Sequence, residues 1–135
     1  MPNTGSYEMQ ILFCALALGL VQLVLTVAAG LPVRGLTWAI GPRDEPGKPF
    51  GKIAGRLERA YKNFLETFVF FAVAVLVANG LDKHTAMSVL GAQIYIWARL
   101  IYVPAYVIAI PMTRTLVWTA SLIGILLVMS AIWPG

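Results

Sequence analysis

Charge is what this sequence has least of. Only 12% of its 135 residues are Asp, Glu, Lys or Arg, against about 25% in a typical soluble domain. A surface facing water needs more, so a soluble fold of this size is excluded. Acids are scarcest, six against ten Lys and Arg. The net charge of +4 does not point to nucleic acid, because the bases cluster between apolar segments without a nucleic-acid motif. Cysteine occurs once, at Cys14, which excludes a disulfide framework, a CxxC pair and a cysteine metal site. In its apolar run Cys14 reads as a buried small hydrophobe. The sole histidine, His84, sits at a turn with no carboxylate pair near it and reads as no metal ligand. Phosphate loops, GxSxG, HExxH and Rossmann fingerprints are all missing. The first ten residues lack Lys and Arg, and the apolar run they open is too long for a signal peptide, so it is expected to be a retained span.

What is there is apolar: 59% of residues are hydrophobic. A transmembrane helix needs ~20 mostly apolar residues, and four stretches qualify, at about 7–33, 59–79, 84–110 and 113–133. Lipid cannot satisfy a sheet edge, so the spans are helical. The expected fold is all-α: one integral membrane domain, residues 1–135, forming a four-helix bundle with up-down topology. Residues 34–58 form a polar loop whose Gly, Pro and charge should break any helix. The second connection, GLDKH, is a tight turn. In the third, IPMT, Pro111 stops one helix and Thr113 is expected to cap the next. Arg34, Arg43, Lys48, Lys52, Arg56, Arg59 and Lys62 crowd the first loop and the following helix start, whereas the second loop has only Lys83. By the positive-inside rule the first and third loops face the cytoplasm and both termini lie outside.

Ionisable residues inside a span need a partner or a task. Arg59, Asn63 and Glu66 share one face of the second span, and Arg99, Tyr102 and Tyr106 share one face of the third. At ~1.5 Å rise per residue, Glu66 lies roughly 10 Å deep and Arg99 roughly 16 Å deep, so the two can meet. An Arg99–Glu66 pair is therefore expected, either as a purely structural link or within a polar pocket for a small anionic, hydrogen-bonding ligand. Arg114 opens the fourth span, where a helix N-terminus adds positive potential. It reads either as an interfacial anchor or as an anion-stabilising group. Pro104 is expected to kink the third span, and Gln10 and Gln22 to bond between helices.

These residues resemble the signature of the MAPEG family, the membrane-associated proteins in eicosanoid and glutathione metabolism. In GRLERAYKNFLETF the matching positions are Arg59-Ala60, Asn63 and Glu66. In ARLIYVPAYVIAIPMTRTLVW they are Arg99, Tyr102, Tyr106 and Arg114. The four spans and long first loop agree, and the GPRDEP loop looks like a bacterial branch. Phe64 departs from the pattern, standing where a polar residue often follows the family Asn. The resemblance implies a homotrimer binding glutathione, as co-substrate and without a metal, between neighbouring subunits. Arg34, Arg59, Asn63, Glu66, Arg99, Tyr102 and Tyr106 would bind glutathione, with Arg99 bracing Glu66 or the peptide. Arg114 would be the catalytic, thiolate-stabilising residue. The implied protein is a glutathione-dependent transferase or peroxidase of the bacterial inner membrane. It would act on hydrophobic electrophiles from the lipid, with its active site facing the cytoplasm. The alternative is a non-catalytic member that binds lipid or a partner protein. A small multidrug transporter is disfavoured, because the first span carries only Glu8, at its outer end.

Overall fold

The computed structural model describes residues 6–133. Within them every regular element is an α-helix: α1 Tyr7–Arg34, α2 Leu36–Ile40, α3 Lys52–Gly80, α4 Ala86–Val107 and α5 Thr113–Ile132. All but α2 are long and apolar enough to cross a membrane. At ~1.5 Å per residue, the 28 residues of α1 and 29 of α3 overshoot a ~30 Å hydrocarbon core. One end of each helix therefore emerges from it.

Local chemistry sets the boundaries. Ser6 caps α1, its hydroxyl accepting from the Met9 N–H at 3.1 Å. Gly35, at φ 85°, turns the chain out of α1, a conformation glycine adopts at little cost. The expectation that residues 34–58 hold no helix fails at both edges. α2 forms before the first proline of the loop, and α3 begins at Lys52, just past Pro49 and Gly51, and takes in Gly55. Thr85 and Ser88 form a capping box at the start of α4. Thr113 does not cap α5: its hydroxyl donates to the Ile110 carbonyl at 2.6 Å. The N-cap is Met112, at φ 68° and with no side-chain bond to the helix.

The core gathers Ala15 of α1, Phe71 and Val75 of α3, Tyr95 of α4 and Val128 of α5. Phe71 and Tyr95 stack at 4.0 Å between centroids, and the Tyr95 hydroxyl bonds Thr67 at 3.0 Å. α4 and α5 meet backbone to backbone at Gly91 and Gly124, where a Cβ on Gly124 would lie 2.6 Å from the Gly91 carbonyl oxygen. Small residues permit such close approach in membranes. Phe64 is apolar for a packing reason, since its ring fills the space above Gly19 of α1. α1 exposes Phe13, Leu16, Leu20, Val21 and Val24, an outward apolar face that suits lipid. Cys14 belongs to that face and is exposed, not buried as its apolar run suggested. Gln10 is exposed, and Gln22 bonds the Leu18 carbonyl of its own helix, so the expected interhelical bond of Gln22 is not among those of the described residues.

Candidate active site at the loop end of the bundle

The sequence-predicted residues converge where α3 begins, α4 ends and α5 begins. Arg56 donates to the Val107 carbonyl at 2.9 Å, Arg59 Nε to the Tyr106 hydroxyl at 3.0 Å, and Arg99 Nη1 to Asn63 Oδ1 at 2.8 Å. Two cavities share Glu66 and Arg114. One, of about 330 Å³, is lined by Arg59, Lys62, Asn63, Glu66, Tyr106 and Arg114. The other, of about 540 Å³, is lined by Glu66, Arg114, Thr115 and Trp118. Glu66 and Arg114 are exposed to this space. An apolar cleft of about 670 Å³ lies farther along the same two helices, between Val69, Phe70 and Val73 of α3 and Leu122, Ile125 and Leu126 of α5.

The expected Arg99–Glu66 ion pair is not among those of the described residues. Arg99 is only 1% exposed and points into the bundle. There its Nη1 also reaches Ser121 Oγ at 3.4 Å, and its guanidinium lies over the rings of Tyr102 at 4.7 Å and Phe64 at 5.6 Å. Asn63, one helical turn before Glu66, faces Arg99, while Glu66 is exposed. The interior keeps donors in reserve. Arg99 Nε and Nη2, Asn63 Nδ2 and the Tyr102 hydroxyl are buried without a partner among the described residues. Tyr102 and Tyr106 stack at 5.3 Å, one behind the other from the interior to the cavity.

Lys62, Trp118 and Ser121 join the site beyond the predicted set, and Thr115, beside Arg114, lines one of its cavities. Trp118 stands one turn after Arg114, a spacing that could have found it. Ser121, a buried hydroxyl in an apolar span, was a signal passed over. Arg34 is not brought to this cluster within the subunit. Its Nε donates to the Lys48 carbonyl at 3.0 Å, and it stacks on Phe50 at 3.8 Å. At the other end of the bundle His84 does have carboxylate neighbours: Glu8 at 3.2 Å and Asp82 at 3.8 Å.

This arrangement can take a small zwitterionic anion. Arg59, Lys62 and Arg114 supply positive charge, Glu66 is the sole acid lining either cavity, and the uncapped first turn of α5 adds free N–H groups. The family model described as MAPEG family matches residues 11–133. The chain belongs to the MAPEG family. No curated protein matches the chain. As a MAPEG protein with four helices able to cross a bilayer, it is an integral, multi-pass membrane protein in contact with lipid. Its membership suggests a glutathione-related transferase, peroxidase or related function.

Proposed function

We propose that this MAPEG protein is a membrane-bound, glutathione-dependent transferase or peroxidase that acts on hydrophobic electrophiles through a thiolate held by Arg114. The observation that carries the reading is the position of Arg114 and Glu66, shared by two polar cavities and followed along the same helices by an apolar cleft. Glutathione has two carboxylates and one ammonium group. Arg59 and Lys62 suit the carboxylates and Glu66 the ammonium. Asn63, Tyr102 and Tyr106 supply further hydrogen bonds, with Arg99 behind them. Within the subunit Arg34 Nε is held by the Lys48 carbonyl, so Arg34 would reach glutathione from a neighbouring subunit of the homotrimer.

A cysteine-type thiol has a pKa of roughly 8.5, so only a few per cent is anionic at neutral pH. The thiolate is the nucleophile. A positive charge within ~4–6 Å lowers such a pKa by about 1–3 units, which makes the anion a large fraction at neutral pH. In a transfer step the sulfur forms a bond to the electrophilic carbon, and the leaving group departs with the bonding electron pair. The apolar cleft admits the electrophile from the bilayer, and glutathione enters from the polar end.

The proposal includes an up-down homotrimer in a bacterial inner membrane, with the loop end in the cytoplasm. The Lys and Arg of residues 34–62 support that orientation. Stopped-flow absorbance in the thiolate band after mixing the purified protein with glutathione tests the chemistry. A rise accompanied by proton release, followed by turnover of a hydrophobic acceptor, is expected. Glutathione binding with neither signal would make the protein a non-catalytic lipid- or partner-binding member.

A further inference from the structure

Arg114, Trp118 and Leu122 follow one another along α5 in steps of four residues, so they share one face of the helix. Arg114 and Trp118 line the polar cavity of about 540 Å³, and Leu122 opens the α5 wall of the apolar cleft. On α3 the same change takes one turn, from Glu66 of the polar cavity to Val69 and Phe70 of the cleft. Trp118 therefore stands where the polar part of the site gives way to the apolar part. Among the described residues it is the one aromatic side chain lining that polar cavity, as Phe70 is the one aromatic side chain lining the cleft.

Two tryptophans of this chain show how differently an indole is used. Trp38 is tied down: its Nε1 donates to the Glu45 carbonyl at 2.7 Å, and guanidinium groups lie 5.0 and 4.9 Å from its ring. Trp118 is 43% exposed, and its indole has no partner among the stacked rings and cation contacts of the described residues. At ~1.5 Å per residue it lies roughly 7.5 Å into α5, a depth that also suits a headgroup anchor. An anchor needs only lipid, whereas Trp118 shares a cavity with Glu66 and Arg114. A thiolate attacks electron-poor carbon. Where that carbon belongs to a ring or a conjugated system, the acceptor is flat, and its electron-poor face matches the electron-rich face of an indole in an offset stack. A saturated alkyl acceptor gains no such match and is served by the apolar cleft alone.

We infer that Trp118 is a specificity-determining residue of the acceptor site, a preference that rests on the glutathione reading of the polar cavities. It stacks flat aryl or conjugated electrophiles beside Arg114, and an apolar tail on the acceptor lies in the cleft along Leu122 and Phe70. With an aryl halide, the thiol proton has already gone to solvent when the sulfur forms its bond to the ring carbon that bears the halogen. The ring holds the added electron pair. The carbon–halogen bond then breaks, the halide leaves with the bonding pair, and the aromatic ring is restored.

Glutathione conjugation of two acceptors by the purified protein in detergent tests it: chlorodinitrobenzene, flat and electron-poor, and iodohexane, saturated. Trp118→Leu keeps apolar bulk and removes the ring. It should lower kcat/KM for chlorodinitrobenzene at least tenfold and leave that for iodohexane within twofold. Trp118→Phe keeps a smaller ring and should recover part of the loss. The thiolate absorbance with glutathione should be the same in parent and variants, because Arg114 is untouched. Hexyl dinitroaniline, a flat ring without a leaving halide, gives a measurement free of turnover: its Kd by calorimetry should rise at least fivefold in Trp118→Leu. An equal loss for both acceptors overturns the selectivity of Trp118, and no loss for either makes it an interfacial anchor; in both cases a normal thiolate signal leaves the glutathione reading standing. No thiolate signal in the parent overturns the glutathione reading instead, and Trp118-dependent binding of the dinitroaniline would still support the flat-ring site.

Discussion

Two polar clusters sit inside this apolar bundle, one at each end, and their hydrogen bonding differs. At the turn between α3 and α4, the Glu8 carboxylate is 1% exposed and is met by the Ser88 hydroxyl and His84 Nδ1. Ser88 in turn completes the capping box of α4. Acceptors and donors match, and the cluster joins the start of α1 to the start of α4. At the loop end, Arg99 is equally buried but meets only an amide and a hydroxyl, and several donors around it stay unused. A buried polar group without a partner costs ~1–3 kcal/mol. A satisfied cluster holds helices together; one with surplus donors around a cation is suited to an acceptor-rich anion.

The sharpest way to break that contrast is to truncate the satisfied cluster. Glu8→Ala should lower stability in detergent by ~1–3 kcal/mol, read from thermal or denaturant unfolding, and should leave the thiolate signal of the folded protein unchanged. A variant as stable as the parent would show that the cluster holds nothing. At the other end the largest effect falls on chemistry. Arg114→Ala should leave glutathione affinity largely intact, abolish the thiolate absorbance and reduce turnover at neutral pH at least tenfold. Below its pKa of roughly 8.5 the free thiol is protonated, so raising the pH toward that value should partly restore the variant. Full turnover at neutral pH would make Arg114 an interfacial anchor.

Arg99→Met refines the comparison. An Arg99–Glu66 pair would make this a large loss, since breaking a buried pair costs ~3–5 kcal/mol. With Asn63 and Ser121 as partners instead, the variant loses a lone buried charge along with two bonds. Its stability should move by no more than about 1 kcal/mol, while glutathione binding weakens several-fold in calorimetry. The smallest perturbation is a label. Cysteine at position 48, near the loop-end cluster, and at position 83, near the turn, should react from opposite sides of the membrane, position 48 from the cytoplasm.

The spans were legible because runs of ~20 apolar residues have few alternative uses. The site was legible as faces: spacing grouped Arg59 with Asn63 and Glu66, and Arg99 with Tyr102 and Tyr106. Spacing does not say which member of one face meets which member of another. That is why Asn63, not Glu66, proved to be the partner of Arg99, and why Ser121 of α5 went unnoticed. Glu8 and His84 lie 76 residues apart, and only the packing of α1 against α4 joins them. α2 escaped because five residues are too few to show a period, and the prolines beyond it dominated the reading.

The glycine contact between α4 and α5 has a kinetic side. Backbones that touch at Gly91 and Gly124 leave no side-chain layer to slide on, so the two helices should tilt and drift as one paddle. Tyr102 and Tyr106 then travel with Arg114, and the distance between the two tyrosines and the arginine survives thermal motion. Breathing of the bundle falls instead to the seam between α3 and α5, where the apolar cleft already parts them; under the proposed function that seam is where a bulky guest would enter. Adding bulk at Gly124 would pry the paddle open and uncouple arginine from tyrosines without touching either.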